Sequence, residues 1–141
     1  MNEEPRATDR LFTQSDKPSE DLSRSWHFKT SPGFQRTTSS DMTGKWCIFV
    51  PRAEVDAAWE KIISALEQNQ LWCAKVSTAL RIMSRDTHVI CVYTTNWTDT
   101  QDLMRVHDVL RTLGFVEEPG YKRDVDTVRK IYGPGEWYLR A

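Results

Sequence analysis

The hydrophobic period of this chain changes repeatedly between Lys45 and Gly114, and that pattern constrains the fold more than any other feature of the sequence. Lys45 to Val50 (KWCIFV) is a short apolar run of β-formers stopped by Pro51, as a buried strand requires. Val55, Trp59, Ile62, Ile63 and Leu66 then recur at helical spacing. With Pro51 at the entry and Asn69 near the exit, residues 52–68 are expected to form an amphipathic helix. Leu71 to Thr78 (LWCAKVST) and His88 to Tyr93 (HVICVY) return to strand texture, separated by a polar stretch with Arg81, Arg85 and Asp86. A second helix follows. Thr98 and Gln101 have capping-box form, Leu103, Val106, Leu110 and Leu113 make the apolar stripe, and Gly114 closes it as a left-handed cap. Beyond it the pattern predicts a short strand from Phe115, a turn at Pro119 and Gly120, and a short helix near Asp124 to Ile131. A turn at Gly133-Pro134-Gly135 and a last strand at Trp137 to Arg140 complete the reading. This order suits an α+β domain, an antiparallel or mixed sheet with helices on one face.

Residues 1–43 carry no sustained apolar period and are rich in Ser, Thr, Asp, Glu, Pro and Arg, so they read as a flexible polar tail ahead of one α+β domain over residues 44–141. Trp26, His27 and Phe28 stand out. Two large aromatics flanking a His either lie across the domain as a short extended arm or belong to an unattached linker. The whole chain has a formal net charge of −1, which supplies no global field for a long polyanion, so any nucleic-acid contact has to be local. Cys47, Cys73 and Cys91 are odd in number, far apart and without metal-ligand spacing. That usage points to a reduced intracellular protein, cytoplasmic or nuclear, with no cofactor or metal expected. The N-terminus has no basic segment followed by an apolar one, and no apolar run reaches membrane-spanning length, so neither secretion nor a membrane partner is expected.

The sequence holds no G-x-S-x-G, P-loop, dinucleotide fingerprint, H-E-x-x-H or paired-Cys motif, which leans the reading away from an enzyme. His88, opening a strand, and His107, one position past a helical stripe, read as structural or solvated. The binding signals are cations inside apolar strands, because a buried ammonium is costly without a partner. Lys75 is the clearest, and on a sheet with one open face it shares that face with Ser77 and Cys73. Lys45, Arg81 or Arg85, and Lys122 are candidates to converge on the same concave surface, where cations and a hydroxyl suit a phosphate. Trp97, in the loop that begins at Tyr93, and Trp137, beside Arg140, either stack on a planar ligand or cap the edge of the core. The candidate ligand-binding set is therefore Lys45, Lys75, Ser77, Arg81, Tyr93, Trp97, Lys122, Trp137 and Arg140.

The run from Gly44 to Arg52 (GKWCIFVPR), the strand Ala74-Lys75-Val76-Ser77-Thr78, the segment His88 to Thr94 with Asp99 and Asp102, and Tyr121-Lys122-Arg123-Asp124 with Thr127, Ile131 and Tyr132 resemble the basophilic leukemia-expressed protein family, over about residues 44–140. That family is similar to the cap-binding translation initiation factors. The resemblance implies a curved, mainly antiparallel sheet backed by two main helices, whose concave side in the initiation factor binds a methylated guanine between two tryptophans. Trp46, Trp72 and Trp97 are the candidates for such a pair, with no accompanying Glu that aligns. A second similarity is to bacterial phosphothreonine lyases, whose first-strand Lys-x-His supplies base and acid. Lys45-Trp46-Cys47 is the equivalent run, with Cys47 where His is wanted and Lys75 as a phosphate-binding counterpart.

The expected function is a non-enzymatic binding module for a phosphorylated ligand, RNA or a nucleotide, on the concave face. The alternatives are a phosphothreonine lyase-like enzyme using Lys45 as base, or its inactive phosphopeptide-binding relative. A protein partner on the helical face is a further expectation.

Overall fold

The computed structural model describes residues 13–36, 41–128 and 137–141. Their elements run β1 (Trp26–Thr30), β2 (Gly44–Pro51), α1 (Arg52–Glu67), β3 (Cys73–Ser77), α2 (Ala79–Ile82), β4 (Thr87–Thr94), α3 (Thr100–Thr112), β5 (Gly120–Arg123), α4 (Asp124–Val128) and β6 (Leu139–Arg140). The sheet order is β1-β3-β4-β2-β5-β6 and every neighbouring pair is antiparallel. This is an α+β fold, a curved open sheet with α1 and α3 on one side, as the sequence predicts.

Strand alternation sorts the sheet into two faces. Trp46, Ile48, Val50, Ala74, Val76, Ile90, Val92 and Tyr121 point toward the helices and are buried there. The apolar stripe of α1 (Val55, Trp59, Ile62, Leu66) and that of α3 (Leu103, Val106, Leu110) close over them. Trp46 is the pivot. It is 0% exposed, donates its indole N–H to the Leu103 carbonyl at 3.0 Å, and meets Tyr121 edge-on at 5.2 Å between ring centroids. A buried Trp satisfied in this way is a core residue, and truncating one costs about 3–5 kcal/mol.

Several details depart from the sequence reading. The cap of α3 is Asp99, whose carboxylate accepts from the Asp102 amide at 3.2 Å, one residue beyond the Thr98–Gln101 box. Gly114, at φ 103°, is the left-handed cap. No strand starts at Phe115; β5 begins at Gly120, where the sequence suggested a turn, because its partner β2 sets the register from Cys47. The expected helix from Asp124 is present to Val128. Its remainder and the Gly133-Pro134-Gly135 turn lie outside the described residues.

The ordered structure also reaches upstream of Thr43. Trp26–Thr30 pairs with β3 as the sheet's edge strand, so Trp26, His27 and Phe28 form the extended arm. Its anchor is buried and polar. Asp21 accepts from Ser23 and Arg24 and lies 2.5 Å from His27 Nε2. Burial opposes ionisation of Asp21, but these hydrogen bonds outweigh it and hold its carboxyl below the usual carboxylate range. Thr78 donates its hydroxyl to the Arg24 carbonyl from the neighbouring strand end.

Candidate functional site

Side chains that point away from the helices form aligned rows across the sheet. One row, read from the register, is Phe28, Lys75, Cys91, Cys47, Gly120 and Arg140; the next is Thr30, Cys73, Tyr93, Lys45 and Lys122. Positive side chains from separate strands therefore share one surface. The Lys75 ammonium lies 5.8 Å and that of Lys45 5.6 Å from the centroid of the same Tyr93 ring. Lys75 also sits 4.0 Å from the Trp26 centroid, and Arg81, reaching in from α2, sits 4.5 Å from that ring. At the opposite end Trp137 carries Lys122 at 5.4 Å and Arg140 at 5.9 Å.

The two central lysines differ in their electrostatics. Lys45 is buried and paired, its ammonium 2.7 Å from Asp124, which also accepts from Thr43 Oγ1 at 2.5 Å. Lys75 forms no salt bridge among the described residues. Burial lowers its pKa from the ordinary lysine value, and the neighbouring charges of Lys45 and Arg81 push the same way. Such an ammonium is stabilised by an arriving anion, since the anion supplies the missing countercharge.

Beside these lysines is a cavity of about 340 Å³ lined by Phe28, Thr30, Phe34, Arg36, Trp72, Cys73, Tyr93 and Asp124, with Lys29 and Thr43. Its size is at the lower end for small-ligand sites. Phe34 stacks on Trp72 at 5.2 Å between centroids, and Trp72 donates its N–H to the Gln35 carbonyl, which fixes that wall. Among the described residues Asp124 is the one carboxylate in the lining, and Arg36 is an additional cation. A planar heterocycle can lie between such walls with a hydrogen-bond acceptor at its edge, and a phosphate can then reach the lysines at the mouth.

Of the nine sequence candidates, Lys45, Lys75, Arg81, Tyr93, Lys122, Trp137 and Arg140 occupy this face. Two do not serve it. Ser77 has the expected parity but is 1% exposed, with its hydroxyl oxygen accepting from the Val89 amide, so it is part of the sheet floor. Trp97 packs on the helix side of the sheet, T-shaped to Tyr138, covered by Arg123 at 4.7 Å and tied to the Asp41 carbonyl. It caps the core edge. Of the three candidates for a tryptophan pair, Trp46 is core, Trp97 is on the other side, and only Trp72 reaches the cavity. Sequence reasoning missed Trp26, Phe28, Phe34, Arg36, Thr43 and Asp124. A signal was present for the first two, as alternating aromatics in WHFKT, but Phe34 and Arg36 sit in a stretch with no period at all.

His88 and His107 are structural. His88 is fully buried with Nδ1 2.7 Å from the Ser77 carbonyl, and His107 lies against the Trp46 ring. Cys47, where a lyase acid would stand, is buried opposite Cys91. Its hydrogen bond to that thiol, together with burial, holds it protonated. Among the described residues no group of His, Cys, Asp and Glu could hold a metal ion, and no helix is long and apolar enough to cross a membrane.

Comparison with known proteins gives the family model of Basophilic leukemia-expressed protein Bles03 as a match over residues 37–128. Solved structures with the same fold include C. elegans eIF4E-3 in complex with the 4E-binding protein Mextli, with TM-score 0.65 and 13% identity over 96% of this chain and 81% of that one. The same protein with Mextli and a cap analog gives TM-score 0.61 and 13% identity over 82% and 68%. Ascaris suum eIF4E-3 with an m2,2,7G cap gives 0.59 and 12% over 82% and 68%. At these identities the likeness establishes the cap-binding-protein fold.

Proposed function

We propose, on the premise that the chain belongs to the Basophilic leukemia-expressed protein Bles03 family, that it is a binding module for an anionic nucleotide on the concave sheet face. The base enters the cavity between the Phe34–Trp72 wall and the Phe28 and Tyr93 rings, with Asp124 as acceptor for its N–H groups. The phosphate sits at the mouth on Lys75, with Lys45, Arg81 and Arg36 around it. The observation that carries this reading is the convergence of Lys75 and Lys45 on one Tyr93 ring beside an aromatic-walled cavity. That neighbours of the same fold are solved with cap ligands supports it.

Calorimetric titration tests it, using guanosine, adenosine and uridine monophosphates and a methylated cap analogue. Binding should require the phosphate, so the free nucleosides should bind more than tenfold more weakly. No heat from any nucleotide at millimolar concentration would end this reading. A phosphothreonine peptide in the same series addresses the phosphopeptide alternative. Elimination of phosphate from it is not expected by the lyase route, because the thiol of Cys47, at the position of the lyase acid, is held protonated by its hydrogen bond to Cys91 and by burial.

A further inference from the structure

Exposed aromatic rings are normally hidden, yet the open face shows Phe28 at 69% and Phe49 at 56% exposure. Each belongs to a group with a tryptophan and two cations. At the β1 end are Phe28, Trp26, Lys75 and Arg81. At the β5–β6 end Phe49 meets Trp137 at 6.4 Å between centroids, and Lys122 and Arg140 lie over that indole. The register makes the two groups ends of one surface, because Trp26 faces Ser77 across β3 while Phe49 faces Val89 across β4. From β1 to β6 the sheet order contains five strand spacings, about 24 Å at roughly 4.8 Å each. A mononucleotide seated in the cavity lined by Phe34, Trp72 and Tyr93 fills one end only, and Phe49, Val89 and Trp137 have no part in that lining.

We propose that this face is a track for a single-stranded oligonucleotide, with bases stacked on the Phe28–Trp26 and Phe49–Trp137 groups and phosphates held by the cations of each group, Lys75 and Arg81 at one end and Lys122 and Arg140 at the other. The proposal rests on the nucleotide reading above and extends it from one residue of ligand to several. Rings paired with cations at both ends of one open face are what unpaired bases and a charged backbone require, since every base has a face to stack and every link a charge to neutralise. A duplex, whose bases are already stacked on each other, cannot use the rings. A length of about 24 Å corresponds to roughly four to seven nucleotides, depending on how far the strand is extended. The chain as a whole is slightly acidic, with a formal net charge of −1. The attraction is therefore confined to this face and reads a short segment rather than a long polymer.

The test is fluorescence anisotropy of the full chain with labelled oligouridylates of one to ten nucleotides and with a blunt RNA duplex. Affinity should rise at least tenfold between one and six nucleotides, then level off, and the duplex should gain none of it. Phe49→Ala should remove most of that gain while leaving uridine monophosphate binding unchanged, and Phe49→Glu should remove all of it; both changes are at an exposed position. Length-independent affinity, equal binding of the duplex, or an unaltered length series in both Phe49 variants overturns the track and leaves the nucleotide site standing. Failure of every ligand, the mononucleotide included, overturns the track and the nucleotide reading together.

Discussion

Replacing Lys75 with Met separates what this residue does for the fold from what it does for a ligand. In the free protein the ammonium gains about 0.5–1 kcal/mol from the Trp26 ring 4.0 Å away. A thioether against the same ring recovers about 0.3–1.5 kcal/mol, so the two contacts nearly cancel. What remains is relief, because burial and the charges of Lys45 and Arg81 disfavour the protonated lysine. The folded pKa is lowered relative to the unfolded one, so the penalty is fully present below the folded pKa and fades as pH rises toward the ordinary lysine value of about 10.4. Lys75→Met should therefore be as stable as the wild type or slightly more stable at pH 7, with the difference shrinking toward pH 10. Binding should suffer the opposite fate, since one charge-assisted hydrogen bond to phosphate is worth about 1.5–3 kcal/mol, a loss of more than tenfold in affinity. Urea unfolding at pH 7 and pH 10, paired with nucleotide titration at pH 7, reads both quantities. Stability lower by more than about 2 kcal/mol with unchanged affinity would make Lys75 a structural residue and not a ligand contact.

Three further outcomes follow from particular contacts. Burial pushes the Cys73 thiol up to about 11, so its alkylation should be slow at neutral pH, accelerate toward pH 11, and slow again when nucleotide fills the cavity it lines. Cys47 and Cys91 should react only after unfolding, and mass mapping that finds them modified first in the native protein would contradict the assigned burial. Asp21→Asn should cost about 2 kcal/mol through weakened bonds to Ser23, Arg24 and His27. Because the Asp21 carboxyl is held low, the wild type should keep this contribution above pH 4 and lose it on further acidification, whereas the Asn variant should lack that part of the acid dependence. Gly44→Ala should lower thermal stability by the equivalent of about 1–3 kcal/mol, because its Cβ would overlap the buried Tyr121 hydroxyl that bonds Thr94 at 2.6 Å. An unchanged melting temperature would mean that this part of the sheet is not so closely packed.

The elements with a clean period were legible in the sequence. KWCIFV, the two helical stripes and HVICVY each bury one face, and burial of that face is what periodicity records. The edge strand Trp26–Thr30 was only half legible, because its inward residues, His27 and Lys29, are polar, and its place is fixed by the Asp21–His27 contact that no period reveals. For the site, the cations inside apolar strands announced one face correctly, since parity in a strand decides which side a residue takes. Parity does not report depth, and for that reason Ser77 was read as available when Trp26 and Val89 lie across it in the register. The sequence left Trp97 open between a stacking ring and a cap of the core edge, because what decides it is a loop that turns back over Met42 and Asp41, a contact between distant segments. Asp124 was missed for the same reason. Its role beside Lys45 exists only once β5 pairs with β2.

On the proposed function the open face of the sheet, and not the helical side, meets a phosphorylated planar ligand. Chemical-shift mapping of the isotope-labelled full chain during titration with guanosine monophosphate tests this most directly. The expected result is shifts concentrated at Lys45, Cys73, Lys75, Cys91 and Tyr93, with the outward amides of α1 and α3 unmoved. Shifts confined to those helices, or a spectrum that does not change at millimolar nucleotide, would contradict it.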